Sequence, residues 1–193
     1  MNEIARSFDS RADDWEKTFN RPSAVQGAVA AIAGIGPGSR VLDLGCGTGI
    51  MADVYLALGV SQVVALDIAP RMIEIAQKKY ENEPRIDFRC RDAVEFEDEE
   101  GFDAVVIYNA YPHFLDKDAL AKRVASLVKP AGRFTVAHSM GRAQMNDHHR
   151  NVPASVTSVL RPAVEEAEAW RGLFKIDSIV DSPLFYCFAG QLK

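Results

Sequence analysis

The sequence predicts an α/β fold built on a doubly wound, seven-stranded sheet that is mostly parallel and ends in a C-terminal antiparallel hairpin. Three observations support it: strand-like apolar runs alternate with helix-like segments, a glycine cluster follows the first strand, and two strands close the chain. Strands that alternate with helices form parallel sheets with helices on both faces. Ligands of such sheets bind beyond the carboxyl ends of the strands, where the strand order reverses.

The first half of the chain supplies three strands and three helices. A helix is predicted at residues 23–35, with Ser23 as its cap and a glycine-rich stop after it. Buried strands follow at residues 40–44, 62–68 and 85–90, and helices at residues 50–58 and 70–82. Pro70 suits the first turn of the last of these helices, because proline has no N–H group to leave unpaired there.

The second half begins with an acidic run at residues 95–100, which we interpret as a solvated loop. We then predict a strand at residues 102–108, a helix at 116–128, a turn at 129–133 and another strand at 133–138. A polar stretch (139–151) and a helix (162–173) precede strands at 174–180 and 184–190. Three residues separate those two strands, so they form a hairpin that we expect to add one antiparallel strand at the edge of the sheet.

The composition indicates one soluble, globular domain. Among 193 residues, 22 are basic and 27 acidic, which gives a net charge of −5, and 48% are apolar. This balance does not favour binding to nucleic acid, which needs clustered Lys and Arg. Three cysteines suit a reducing compartment. We find no signal peptide and no apolar run long enough for a membrane helix, so we expect a cytoplasmic protein, a monomer or homodimer without a membrane partner.

Three strand ends carry groups suited to an adenosine. Residues 45–49, Gly-Cys-Gly-Thr-Gly, follow the first strand, and glycine lets a ligand approach backbone N–H groups closely. Asp67 ends the second strand, at a spacing where a carboxylate can accept both ribose hydroxyls. Asp92 and Ala93 follow the third strand, where a carboxylate and an N–H group can contact an adenine edge.

Two adenosine ligands are candidates, a dinucleotide and S-adenosylmethionine. Gly47, Gly49 and Ala52 loosely match the dinucleotide fingerprint. However, the loop has no Lys or Arg to assist a pyrophosphate, and Asp43 at the strand end repels phosphate charges. No Lys has a Tyr four residues before it, as short-chain hydride chemistry requires. The carboxylates instead favour a ligand with an ammonium group and a positive sulfur.

Five segments resemble, in order and spacing, the motifs of class I S-adenosylmethionine-dependent methyltransferases. They are residues 41–49 (VLDLGCGTG), 65–72 (ALDIAPRM), 91–93 (RDA), 102–106 (FDAVV) and 127–133 (LVKPAGR). The resemblance covers residues 35–138 and implies a Rossmann-like sheet. It also implies one domain over residues 1–193, in which residues 1–35 form a helical cap, 36–138 bind the donor, and 139–193 form the acceptor region and hairpin.

The resemblance assigns roles to individual residues. Asp43 and the backbone of Gly45, Cys46, Gly47 and Gly49 would hold the methionine part of the donor. Asp67, with Ile68 beside it, would bind the ribose, Met72 would flank the adenine, and Asp92 and Ala93 would bond the adenine edge. Asn109 would line the methyl-transfer site. The segment with Phe8, Arg11 and Trp15 would fold over the donor, or else form a solvent-facing helix anchored by its aromatic residues.

All four histidines follow predicted strand ends, and imidazole suits a general base because it titrates near neutrality. We favour His138 and His149 for this role, with His113 and Asn109 as further catalytic candidates. Some of these histidines can instead have structural roles: His113 can bond a turn carbonyl, and His148 and His149 can be exposed helix residues. A metal site built from these histidines is conceivable, but no close pair has the spacing of metal ligands, so we predict no metal.

The acceptor is expected to be a small molecule. Residues 109–112, Asn-Ala-Tyr-Pro, contain the residue types of the Asn-Pro-Pro-Tyr motif of amino-methylating nucleic-acid enzymes in the wrong order. Tyr111 and Phe114 either line an apolar acceptor pocket or belong to the core. The sequence leaves two alternatives to a methyltransferase: a non-catalytic module that binds S-adenosylmethionine, and an NAD(P)-dependent oxidoreductase.

Overall fold

A seven-stranded sheet forms the middle layer of the molecule, and helices pack against both of its faces. This computed structural model describes residues 2–19 and 24–193. The predicted cap Ser23 therefore lies outside the described residues.

The strands and helices lie close to the positions that the sequence predicts. The strands are β1 (Arg40–Leu44), β2 (Gln62–Asp67), β3 (Ile86–Cys90), β4 (Phe102–Tyr108), β5 (Val128–His138), β6 (Phe174–Asp181) and β7 (Tyr186–Leu192). The helices are α1 (Glu3–Asp9), α2 (Ala12–Phe19), α3 (Ala24–Ile32), α4 (Ala52–Ala57), α5 (Pro70–Lys79), α6 (Lys117–Leu127), α7 (Arg142–His148), α8 (Ala163–Glu166) and α9 (Glu168–Arg171). A 3₁₀ turn covers Tyr111–His113.

The strand order confirms the predicted doubly wound sheet and corrects one detail. The order is β3-β2-β1-β4-β5-β7-β6, with β1 to β5 parallel and β7 antiparallel to both of its neighbours. The hairpin does add one antiparallel strand, but β7 lies inside the sheet and β6 forms the edge. The chain winds in opposite directions on the two sides of the β1–β4 pair, so the ligand-binding crevice belongs there.

The central strands are buried on both faces, which explains their continuous apolar runs. Leu42, Leu44 and Val105 face one layer of the core, together with α6 and Trp170 of α9. Val41 and Val106 face the other, together with α3, α4 and α5. Burial on both sides holds the strands in register and fixes where their carboxyl ends lie.

Three predicted segments differ from the structure. The turn predicted at 129–133 is part of β5, because Val128 already pairs with Phe102, and the extra residues form an irregularity before Arg133 pairs with Ala104. Ala131 has a φ of 64°, so the turn-forming residues bend the strand without ending it. The polar stretch 139–151 contains α7, and the helix predicted at 162–173 is divided into α8 and α9.

The acidic run 95–100 is a loop, as predicted, but its Asp98 is not simply solvated. Both Asp98 carboxylate oxygens accept hydrogen bonds from the Arg40 guanidinium at 2.8 Å, and the Asp98 side chain is only 12% exposed. This ion pair attaches the loop to the start of β1. The three cysteines carry free thiols. In the described ranges, no helix combines the length and apolarity needed to cross a bilayer.

Candidate functional site

A cavity of about 290 Å³ opens beyond the carboxyl ends of β1, β2 and β4. It lies at the point where the strand order reverses, as expected for a parallel sheet. Most of the predicted site residues line it, namely Gly45, Cys46, Gly47, Asp67, Ile68, Met72, Asp92, Ala93, Asn109, His113 and His149. Asp43, Gly49 and His138 do not line the cavity.

The glycine loop contains one glycine with only ordinary contacts around it and two that are packed tightly. All three have positive φ. A Cβ atom at Gly45 would lie 2.5 Å from the Ala110 Cβ, and one at Gly49 would lie 2.9 Å from the Tyr80 ring. At Gly47 the nearest atom, Trp15 Nε1, is 3.7 Å away. Gly47 is therefore the least tightly packed of the three, and it lines the cavity opposite Trp15.

The Asp67 carboxylate is fixed by backbone N–H groups at the end of β2. The Gly47 N–H donates to Oδ2 and the Ala69 N–H to Oδ1, each at 2.9 Å. Burial raises the pKa of Asp67, and these two N–H groups oppose that shift. Each carboxylate oxygen keeps a second lone pair, so Asp67 can still accept hydroxyl groups from a ligand.

Asp43 lies behind the glycine loop and is 3% exposed. Burial raises its pKa to about 7, and the negative charge of Asp67 acts in the same direction. The resemblance implied that Asp43 holds the methionine part of the donor. In this structure it has no contact with the cavity, so any influence on a ligand there is electrostatic.

The residues that follow the third strand, which we expect to contact an adenine, line the cavity. Asp92 lines the cavity, and its Oδ1 accepts the Val94 N–H at 2.9 Å, which fixes the turn after β3. Met72 borders the cavity and also packs with Ala12 and Ala69, so it belongs both to the cavity wall and to the core.

Helices α1 and α2 cover the cavity with Phe8, Arg11 and Trp15, which all line it. Phe8 packs edge-on against Trp15, with ring centroids 5.7 Å apart, and against His113 at 4.7 Å. The Arg11 guanidinium lies 5.1 Å from the centre of the Phe8 ring. The N-terminal helices are thus a wall of the site rather than a solvent-facing appendage.

Asn109 joins the ends of β4 and β5. Its Oδ1 accepts the Ser139 N–H at 2.8 Å, and its Nδ2 donates to Ser139 Oγ at 3.1 Å. The backbone has a φ of 56°, which asparagine tolerates better than most residues. Asn109 lines the cavity, but the Ser139 contacts use its side chain to hold two strand ends together.

His113 lies on the 3₁₀ turn after β4, and one of its ring nitrogens forms a hydrogen bond within the protein. Its Nδ1 is 2.9 Å from the Val156 carbonyl oxygen, and an acceptor at that distance requires the proton on Nδ1. The neutral ring therefore has its lone pair on Nε2. Burial lowers the pKa of His113 to about 4, and the nearby charges of His149, Arg11 and Lys117 add to the effect.

His149 and His148 extend this cluster from the end of α7. The His149 ring centroid is 4.9 Å from that of His113 and 5.4 Å from that of His148, and both line the cavity. His149 Nδ1 lies 3.5 Å from the Thr157 hydroxyl. Burial lowers the pKa of His149 to about 4, so its imidazole is neutral at physiological pH.

His138 is the favoured base whose position does not suit the role. Its side chain is 0% exposed, and neither ring nitrogen has a hydrogen-bond partner. Burial lowers its pKa to about 3. It ends β5 beside Tyr186, with ring centroids 5.8 Å apart, where it reaches neither solvent nor the cavity.

Tyr111 and Phe114 lie in different environments. Tyr111 is fully buried, and its hydroxyl donates to Glu166 Oε2 at 3.1 Å and accepts the Trp170 Nε1–H at 3.4 Å. It therefore belongs to the core. Phe114 lines the cavity.

Several lining residues were missed by the sequence interpretation. They come from two places, the start of α1 and the segment after β5, and include Asn2, Ile4, Met140, Met145 and Val152. No motif in the sequence marks them, and an apolar residue such as Ile4 or Met145 has no local signal that separates a cavity wall from the core. The described part of the chain contains no group of three or more His, Cys, Asp or Glu side chains arranged to hold a metal ion.

Comparison with known sequences finds similarity to methyltransferases over about half of the chain. The model of the methyltransferase domain family matches residues 41–132. A ubiquinone biosynthesis O-methyltransferase from Xanthomonas campestris is 36% identical over 99 residues, which are 50% of this chain and 41% of that protein. The match thus spans less than half the length of the curated relative.

Comparison with solved structures shows the same fold at low identity. The N-methyltransferase NodS from Bradyrhizobium japonicum, in complex with S-adenosyl-L-homocysteine, has a TM-score of 0.76 at 15% identity, with 99% of both chains covered. A putative methyltransferase in complex with the Trm112 activator from Haloferax volcanii also has a TM-score of 0.76, at 18% identity, with 100% of this chain and 98% of that chain covered. These likenesses extend over the whole chain, beyond the segment that the family model matches.

Proposed function

Because residues 41–132 of this chain belong to the methyltransferase domain family, we propose that the protein is a class I, S-adenosylmethionine-dependent methyltransferase that acts on a small molecule. The observation that carries the proposal is the pairing of Gly47 with Asp67. A cavity-lining glycine and a carboxylate fixed by backbone N–H groups lie together at the reversal of strand order. This arrangement suits a ribose beside a bare stretch of backbone.

The described residues fit such a donor along its length. Asp67, with Ile68 beside it, would accept the ribose hydroxyls, and Asp92 and the Ala93 N–H would bond the adenine edge next to Met72. The backbone at Gly45, Cys46 and Gly47 would hold the methionine part. Loop residues 45–51 contain no Lys or Arg, which disfavours a pyrophosphate and hence an oxidoreductase.

Arg11 completes the donor site in this proposal. The guanidinium lines the cavity and is held over Phe8 by hydrogen bonds from Nε and Nη2 to Ser7. An amino-acid ligand carries a carboxylate, and a guanidinium is the side chain best shaped to pair with one. Arg11 would provide that pairing from the wall formed by α1 and α2.

The protein's own contribution to methyl transfer is alignment and exclusion of water. When bound, the donor supplies an electrophilic methyl carbon on a positively charged sulfur, so no further activation of that carbon is needed. Phe8, Phe114 and Met145 shield the cavity from solvent, and Asn109 fixes the ends of β4 and β5 on either side of it. Alignment of two reactants in a dry site accounts for large rate factors.

The cavity supports an enzyme over a donor-binding module. A module needs only the donor contacts, whereas this cavity continues past Asn109 to His113, His148 and His149. A small acceptor fits that extension. The name of the Xanthomonas relative, an O-methyltransferase, is consistent with such an acceptor. We further propose that residues 1–193 work as one catalytic domain, as a monomer or homodimer. A cytoplasmic location is part of this proposal, because the three free thiols suit a reducing compartment.

The proposal is tested by supplying S-adenosylmethionine labelled in its methyl group to a library of metabolites. We expect label to move to a small-molecule fraction, with S-adenosylhomocysteine formed in equal amount. Tight binding of S-adenosylmethionine without transfer to any fraction of a crude metabolite extract would favour the donor-binding module instead.

A further inference from the structure

The histidine end of the cavity is walled by uncharged groups. We define it as the region lined by His113, His149, Met140, Met145, Val152 and Phe114. None of these side chains is charged at neutral pH, because burial lowers the pKa values of His113 and His149 to about 4. An acceptor that enters this region leaves water for an apolar surface with imidazole nitrogens as its polar contacts.

The charged groups near the region are committed elsewhere. Lys117 does not line the cavity. Its ammonium group donates to the Tyr111 carbonyl and lies 3.7 Å from the centre of the Tyr111 ring. Asp116 caps α6, where its Oδ1 accepts the Ala119 N–H at 2.9 Å. Arg11 lines the cavity from the wall formed by α1 and α2, and in the proposed function its guanidinium pairs with the carboxylate of the donor. A charged acceptor would therefore lack an opposite charge among the groups that form the histidine end.

His113 is a pre-oriented acceptor of one hydrogen bond. The Val156 carbonyl, 43 positions away in the sequence, fixes the proton on Nδ1, and the Phe8 and His149 rings pack against the imidazole on two sides. Its Nε2 lone pair therefore has a set direction in the cavity wall. Hydroxyl and carbon acceptors of a methyl group lose a proton to a base, and of these two the hydroxyl is the one that donates a hydrogen bond to a nitrogen lone pair.

We propose that the acceptor is a neutral, largely apolar molecule that presents a hydroxyl group to Nε2 of His113, which acts as the general base. This inference rests on the proposed function and specifies its acceptor. The hydroxyl proton moves to Nε2, the oxygen forms a bond to the methyl carbon, and the carbon–sulfur bond breaks with its electron pair left on sulfur. The positive charge thus passes from sulfur to the imidazolium, which the Val156 carbonyl stabilises, and the proton then leaves to solvent.

The test uses isosteric ligands on the protein saturated with S-adenosylhomocysteine. We would titrate 2-naphthol, 2-naphthoate and 2-naphthylamine, which share one ring system and differ in the polar group. We expect 2-naphthol to bind about tenfold more tightly than either of the others, a difference of about 1.4 kcal/mol. The naphthol O–H group is a stronger hydrogen-bond donor than an arylamine N–H group, and a carboxylate would lose its hydration without a cationic partner.

Two variants connect that preference to His113. His113→Asn keeps an N–H group near the Nδ1 position for the Val156 carbonyl and removes the Nε2 lone pair, so we expect folding and S-adenosylhomocysteine affinity to stay within twofold. The tenfold preference for 2-naphthol should disappear, and any methylation of 2-naphthol should fall at least 100-fold. Gln144→Ala, at an exposed position of α7, should change none of these values.

Three outcomes would overturn the inference: equal or tighter binding of the carboxylate or the amine, absence of binding by all three ligands, or an unchanged preference in His113→Asn. Each leaves the proposed function intact provided that S-adenosylhomocysteine binds. Failure of S-adenosylhomocysteine to bind would instead remove the proposed function itself.

Discussion

At the scale of single residues, we expect Asp67 to contribute most to the affinity of the proposed donor site. A carboxylate that accepts two hydroxyl groups contributes about 1.5–3 kcal/mol for each charge-assisted hydrogen bond. We expect Asp67→Ala to weaken S-adenosylhomocysteine binding by roughly 100-fold in calorimetric titration, with an unchanged circular dichroism spectrum. Asp87→Ala is the matched control, because Asp87 binds Arg89 on β3 and lies outside the cavity. Affinity within threefold of wild type for Asp67→Ala would show that the ribose lies elsewhere.

His138 makes stability depend on pH. Its native pKa is about 3, below the value near 6.5 that it has in the unfolded chain, so below pH 6.5 the unfolded state binds the extra proton. Stability is therefore complete above pH 6.5 and falls as the pH drops. Between pH 7 and pH 5, His138 should account for a loss of about 2 kcal/mol in the free energy of unfolding.

The variant His138→Phe isolates that contribution. His113 and His149 titrate in both proteins, so urea unfolding at pH 7 and at pH 5 should show a loss about 2 kcal/mol smaller in the variant. An equal loss in the two proteins would mean that the native state protonates His138 readily, against its complete burial.

The sequence predicted which strand ends line the cavity better than it predicted which histidine reaches it. Gly47, Asp67 and Asp92 follow strands, and a strand end is visible as the limit of an apolar run. His138 also ends a strand, yet its side chain points into the core, because the alternation that places Val136 there places His138 on the same face. The bond between His113 and Val156 has no local signal, since it joins residues 43 positions apart.

At the scale of elements, α1 is attached to α5 because an α1 side chain caps the N-terminus of α5. Helix α5 starts after Ala69, which has no capping side chain, and Asp9 of α1 accepts the Arg71 N–H at 2.7 Å in its place. Loss of a helix cap typically costs 0.5–2 kcal/mol. We expect Asp9→Ala to speed backbone hydrogen exchange in α1 several-fold, with the sheet unaffected.

Glu74→Ala is the control for that variant. Glu74 pairs with the same Arg71 side chain but lies on α5 itself, so exchange in α1 should stay at the wild-type rate. If both variants speed exchange equally, the Arg71 side chain, rather than the Asp9 cap, holds α1 in place.

The glycine loop that connects β1 to α4 requires a left-handed backbone conformation at position 45, which glycine adopts easily. Alanine there would have a φ of 73° and a Cβ atom 2.5 Å from the Ala110 Cβ. We expect Gly45→Ala to lower the free energy of unfolding by about 1–3 kcal/mol. Gly172→Ala, with no neighbour within 4 Å and a φ of −63°, should be neutral or slightly stabilising. Equal stability of the two variants in urea would contradict this role for Gly45.

The prediction of elements succeeded where burial is symmetric and failed where turn-forming residues occur inside a strand. β1 and β4 match the predicted bounds, because burial on both faces gives continuous apolar runs. Residues 129–133 carry turn-forming Pro, Ala and Gly, but the pairing of Val128 with Phe102 keeps them within β5. Long-range pairing decides such cases, and no window of sequence contains it.

At the scale of the whole molecule, the strand order brings separate segments of sequence to one cavity. The ends of β1, β2, β3 and β4 meet where the winding reverses, α1 and α2 close one side, and α7 supplies the histidine end. The parallel part of this order follows from the alternation of strands and helices. The insertion of β7 between β5 and β6 does not, because the hairpin has the same sequence pattern at either position.

The most direct test is calorimetric titration of the wild-type protein with S-adenosylmethionine, S-adenosylhomocysteine and NAD in turn. The two sulfur compounds should each bind at one site per chain and compete with one another, while NAD gives no measurable heat of binding. Saturable binding of NAD, with no response to either sulfur compound, would contradict the assignment of this cavity to a methyl donor.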